Sequence, residues 1–164
     1  MAAPIPRWMN PDGSQLLQWD AGIVDADTRS TEKEVWIWNN KGTSASNPST
    51  DVADMTNVFI TTKNTDGTDT GPIATKTDGI VEVATNDGSS WSDFQEVGGS
   101  SSTVQVVNNA GASGVISGKG NDGNPLTPAT MSNYAKLKLR LHVLATAPAG
   151  PVSWKTRCSY QYTS

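Results

Sequence analysis

Few residues in this chain have the type and spacing to do covalent chemistry. There is one histidine, His142, and one cysteine, Cys158, so any Ser-His-Asp or Cys-His mechanism has to run through His142. His142 alternates with Arg140 and Lys138, which places it on the polar, solvated side of a strand. Cys158 falls on the apolar side of a later alternating run. A thiol there behaves as a small hydrophobe, because a reactive thiolate needs exposure and positive surroundings. One Cys and one His do not make a structural zinc site by themselves. Carboxylates cluster at Asp25/Asp27, Asp51/Asp54, Asp66/Asp69 and Asp93/Glu96. Glycoside hydrolysis needs two of them across a cleft, and the sequence singles out no pair. Asp66-x-x-Asp69 has the oxygen donors that calcium takes, without the EF-hand spacing. Gly118-Lys-Gly-Asn-Asp-Gly123 fits the glycine fingerprint of a nucleotide loop, but Asn124-Pro-Leu-Thr-Pro128 follows where that motif needs a helix N-terminus. The expectation is a protein that is not an enzyme, with no catalytic residues, no metal and no cofactor.

Residues suited to contact are easier to find. Trp8 sits in a proline-rich start, where it packs either on its own domain or on a neighbouring subunit. In Glu34-Val-Trp-Ile-Trp38 the alternation puts Val35 and Ile37 on one face and Trp36 and Trp38 on the other. If the aliphatic pair faces the core, the Trp pair either anchors an interface or covers a second apolar layer made by the arm and loops. Five cations, Lys136, Lys138, Arg140, Lys155 and Arg157, fall on the polar sides of the last two alternating runs. In an acidic chain such a face is either simply solvated or meets an acidic partner, such as the acidic loops of another copy.

Those residues have to be positioned by strands. Ala135, Leu137, Leu139, Leu141 and Val143 alternate strictly with Lys136, Lys138, Arg140 and His142. Ala145–Gly150 breaks the pattern, and a second alternation runs through Val152, Trp154, Thr156, Cys158, Tyr160 and Tyr162. The two runs are expected to pair as an antiparallel hairpin. Shorter β segments read at Leu16–Trp19, Glu34–Trp38, Met55–Lys63 and Ile80–Ala84. An edge strand is expected at Pro72–Thr75, a strand or helical turn at Trp91–Val97, and two short strands around Val104–Val107 and Val115-Ile116. Residues 43–53 read as a Ser/Thr/Asn/Pro loop, and the Asn47-Pro48-Ser49 triplet is void as a glycosylation acceptor because of its proline. Asp-Gly occurs five times, each a tight-turn signal, and no stretch shows three turns of helical periodicity. The pattern predicts an all-β, antiparallel, immunoglobulin-like sandwich over residues 15–164 with an extended N-terminal arm at 1–14.

Composition narrows the classes. The chain has 164 residues, 35% hydrophobic and 17% charged, with net charge -4 and a pI near 4.8. That disfavours nucleic-acid binding, which needs a basic footprint. A single cysteine suits synthesis in a reducing cytoplasm. No apolar run approaches the ~18 residues of a bilayer span. Met1-Ala-Ala-Pro-Ile-Pro6 does not read as a signal peptide, so no membrane is expected.

Leu16-Leu-Gln-Trp-Asp-Ala-Gly22, then Val35-Trp-Ile-Trp-Asn-Asn-Lys-Gly42, then Ile60-Thr-Thr62, resembles the opening of immunoglobulin-like domains of the hydin type. The whole chain resembles small structural proteins of tailed-phage and prophage morphogenesis clusters in Gram-positive hosts. That second likeness rests on Pro6-Arg-Trp-Met-Asn-Pro-Asp-Gly13, Ile37-Trp-Asn-Asn-Lys-Gly42, and Ala147-Pro-Ala-Gly150 with Tyr160-Gln-Tyr-Thr163. It implies a virion building block of tail, baseplate or capsid surface, made in the host cytoplasm and present in several copies. Its partners would be other virion proteins. The alternative is a carbohydrate-binding or adhesion sandwich whose exposed Trp stacks on a host-surface glycan.

Overall fold

The computed structural model describes residues 1–43 and 49–163. Asn47 and Pro48 of the void triplet, and much of the loop expected at 43–53, lie outside them. Nine strands appear among the described residues: β1 Pro6–Met9, β2 Lys33–Asn39, β3 Met55–Lys63, β4 Gly79–Thr85, β5 Gln95–Val97, β6 Val104–Gln105, β7 Val115–Ile116, β8 Tyr134–Val143 and β9 Lys155–Gln161. A 3-10 helix, Pro128–Asn133, is the one helical element among the described residues. The protein is an all-β sandwich of two antiparallel sheets.

The first sheet runs β1-β2-β8-β4-β5. In the second, β3 is central. Ile60 pairs with both Val104 of β6 and Cys158 of β9, and Thr56 with both Val115 of β7 and Gln161, so β6 and β7 share one side of β3 and β9 takes the other. Alternation decides what goes inside. Val35 and Ile37, Val81 and Val83, and Ala135, Leu137 and Leu139 project from the first sheet onto Met55, Val58, Ile60, Val104 and Ile116 from the second. These side chains are essentially dry, and each one larger than Ala135 is worth about 1.5–3 kcal/mol of burial.

The predicted hairpin does not form. β8 is flanked by β2 and β4, and residues 144–154 carry the chain across to the second sheet, where β9 pairs with β3. The physical reason lies in cross-strand charge. A β8–β9 hairpin would gather five cations on one face, whereas the observed register sets Lys138 opposite Glu34 and Arg140 opposite Glu82.

Other expectations shift too. Residues 6–9 of the expected arm are β1, the edge strand of the first sheet. Leu16–Trp19 is not a strand, because its amides find no ladder beyond Leu16 N–H to the Trp8 carbonyl at 2.9 Å. Pro72–Thr75 is a series of turns, closed by bonds such as Thr75 N–H to Gly71 O at 3.0 Å. Trp91–Val97 gives a bridge at Trp91 and then β5.

Gly118, Gly120 and Gly123 have a structural use. A Cβ on them would run into the carbonyl oxygens of Val52, Ser49 and Gly42 respectively. Buried asparagines bolt the same loops together. Asn40 Nδ2 donates to Thr50 O at 2.7 Å and Gly118 O at 2.8 Å, and Asn121 Nδ2 donates to Asn40 O at 2.7 Å. The fingerprint-like glycines thus serve close packing of backbone on backbone.

Candidate functional site

Two surfaces compete for a role. The first is the outer face of the first sheet, where the register brings aromatic rings and cations side by side. Tyr134 stacks on Trp36, with ring centroids 5.0 Å apart, and on Trp38, at 4.5 Å. Lys136 Nζ lies 4.9 Å from the Trp36 ring centroid and Lys41 Nζ 5.7 Å from that of Trp38. Further along β8, Lys138 sits 4.7 Å from Trp91, and the Arg140 guanidinium 3.8 Å from Phe94. Carboxylates complete the set. Lys138 pairs with Glu32 at 3.3 Å, and Glu82 takes both Arg140 and Arg29, the latter at 3.0 Å. Burial pushes the Glu82 carboxyl up, but the two guanidiniums bonded to it together outweigh that and hold it below the usual carboxylate range.

The second surface is the open side of the sandwich, between the edge strands β1 and β9. A groove of about 1170 Å³ enters there and reaches Leu139 and Leu141 of β8. One wall is the irregular segment 16–26 and the other is residues 147–156, the end of the crossover and the start of β9. Trp19 and Trp154 bridge the walls edge-to-face, with centroids 5.4 Å apart. Leu17, Ile23 and Val152 stand on the rim, and Leu17 is 86% exposed. The first wall is loosely held. Between Leu16 and Thr28 no backbone amide donates to a backbone carbonyl among the described residues, and Gly22 N–H uses the Asp20 carboxylate at 2.8 Å.

The residues expected to make an interface are therefore divided. Trp36, Trp38, Lys136, Lys138 and Arg140 do share one face. Trp38 is 1% exposed, however, so it is a core residue of a small second cluster with Met9 and Tyr134, and the arm closes that layer. Trp36 is half-buried, its Nε1 donating to Glu34 Oε1 at 3.0 Å. Trp8 points the other way, packing half-buried against the main core beside the groove. Lys155 and Arg157 lie exposed on the second sheet, so the five cations do not form one basic face. Leu17, Ile23 and Val152 were missed as contact residues. Leu17 reads as part of a strand and Val152 as part of the second alternating run, so the available signal was Ile23, a large aliphatic in a segment with Asp and Gly and no alternation.

Groups suited to covalent chemistry are kept apart. His142 Nε2 lies 3.9 Å from Asp27 Oδ1 on the first sheet, whereas Cys158 faces inward from β9 on the second. Burial pushes the Cys158 thiol up to about 12. Asp66 accepts from Thr68 Oγ1 at 2.7 Å, and Asp69 is paired with Lys63. Among the described residues no group of three or more His, Cys, Asp or Glu is placed to hold a metal ion, and no helix is long and apolar enough to cross a membrane. No family model, no curated protein and no solved structure matches the chain.

Proposed function

We propose that the chain is a non-enzymatic structural protein of a tailed-phage virion, a tail, baseplate or head-surface subunit with an immunoglobulin-like sandwich. It binds neighbouring virion proteins through the open side of that sandwich. The observation that carries the reading is the apolar rim of the groove: Leu17, Ile23 and Val152 stand in water beside Trp19 and Trp154. Contiguous apolar surface around a groove marks a contact site. Full burial of such side chains is worth about 1.5–3 kcal/mol each, before the cost of association is subtracted. The virion assignment itself draws on the sequence resemblance at Pro6–Gly13, Ile37–Gly42 and Ala147–Thr163. A glycan-binding role has less behind it, because Trp36 and Trp38 already stack on Tyr134 and Trp38 has no surface to offer a sugar.

The experiment is to introduce Leu17→Ser together with Ile23→Ser and image virions assembled with each chain. The expected result is wild-type chain in the particle and the variant left out, with an unchanged melting curve. A variant that is incorporated like wild type overturns the groove as the docking site. Wild-type chain missing from purified particles overturns the virion assignment.

A further inference from the structure

Sheet edges differ sharply in how they are finished. β1 has four residues and opens on Pro6, β5 has three, and β6 and β7 have two each. β9 has seven, without proline, and among the described residues it pairs with β3 alone. Its free side presents extended backbone donors and acceptors over about 23 Å, a template for one more strand. We propose that this strand is the β9 of a second copy, paired antiparallel across a two-fold axis at Cys158, so that the second sheet continues through both subunits. The inference rests on the reading that the chain works in contact with other proteins, and it names one of them.

The charge pattern fits a second copy and selects its orientation and register. Lys155 and Arg157 hold the first half of the solvent face of β9, and the neutral Ser159 and Gln161 hold the second half. A parallel copy in register would set Lys155 against Lys155 and Arg157 against Arg157, which is unfavourable. An antiparallel copy centred on Cys158 sets Lys155 opposite Gln161 and Arg157 opposite Ser159. Moving the centre back to Arg157 brings the two arginines face to face. Moving it forward to Ser159 shortens the overlap. A shift by a single residue turns core-facing side chains to solvent. The Cys158 register is thus the one that pairs the whole strand with no cation opposite a cation. On the inner face it sets Thr156 against Tyr160 and leaves the small Cys158 at the axis, where two bulky side chains would collide. A closed two-fold contact is also the commonest way for like subunits to meet.

Sedimentation velocity over a concentration series tests this on the purified chain, beside Ser159→Lys with Gln161→Lys and Ser159→Glu with Gln161→Glu. Both positions are exposed, so all three proteins are expected to melt alike. Dimerisation of the wild type is expected, weakened at least ten-fold by the lysines and strengthened several-fold by the glutamates, with the latter gain lost in high salt. A wild type that stays monomeric at the highest concentration overturns the pairing, and so does a dimer indifferent to both variants. A monomer that still enters particles removes the β9 contact alone, whereas a dimer absent from particles removes the virion reading alone.

Discussion

Trp38, on β2, and Leu17, in the irregular segment after β1, are both large apolar side chains, and they meet opposite fates. Trp38 is 1% exposed, held by Tyr134, Met9 and the Lys41 ammonium, while Leu17 is 86% exposed on the rim of a groove. The outer face of the first sheet is self-sufficient. Its rings are stacked, its cations lie over rings, and Lys138, Arg140 and Arg29 are paired with carboxylates. The open side is unfinished, with aliphatic side chains in water and a long strand edge unpaired among the described residues. The contrast teaches that an interface is better sought where the fold leaves apolar atoms unpartnered than where Trp is most abundant.

The sharpest way to break the comparison is Trp38→Ala. If that face is structural, urea unfolding should show a loss of about 4 kcal/mol, typical of a deleted buried aromatic. A loss below about 1 kcal/mol with assembly abolished would reverse the assignment of the two regions.

Glu82→Gln comes next. It strips the shared carboxylate from Arg29 and Arg140 and should cost about 3 kcal/mol near neutral pH, the low end for a buried network because both guanidiniums still reach water. The pH dependence has a definite sign. The folded carboxyl titrates below its ordinary value, so its contribution is complete above the unfolded value of about 4.3 and is lost as pH falls toward the lowered folded one. The stability gap between wild type and Glu82→Gln should therefore hold at neutral pH and narrow as pH falls below the unfolded value of about 4.3 and through the lowered folded one. A constant gap would mean that the guanidiniums do not favour the ionised form.

Trp36→Ala should cost less, about 1–2 kcal/mol, since it removes one stack and one cation–ring contact from a half-buried site. The smallest stability effect belongs to Leu17→Ser with Ile23→Ser, within about 0.5 kcal/mol by thermal melting. A larger loss there would show that the rim supports the fold itself and would erase the contrast.

Alternation located β2 and β8, and β-branched runs between turn signals located β3 and β4, almost to the residue; the alternation also placed Val35, Ile37, Leu137 and Leu139 inside. Pairing partners were not legible, because a period of two reports which face a residue takes and says nothing of which strand lies beside it. Charge held part of the missing information: Glu34 against Lys138 and Glu82 against Arg140 fix β8 between β2 and β4. The face of Trp36 and Trp38 was readable, but its cover was not, since Tyr134 and Met9 come from distant stretches. The groove was hidden for a different reason. Segments 16–26 and 147–154 form no strand, and their proximity follows from where β1, β8 and β9 lie.

The crossing of residues 144–154 between sheets also has a kinetic side. β3 meets its long partner only when β9, the last strand in chain order, has emerged from the ribosome, roughly a hundred residues after β3 itself. Until then half of the sandwich lacks a floor, so the fold stays loose while residues 64–154 are being made. Refolding from denaturant should take milliseconds to seconds, as such distant pairings require, and stopped-flow Trp fluorescence would time it.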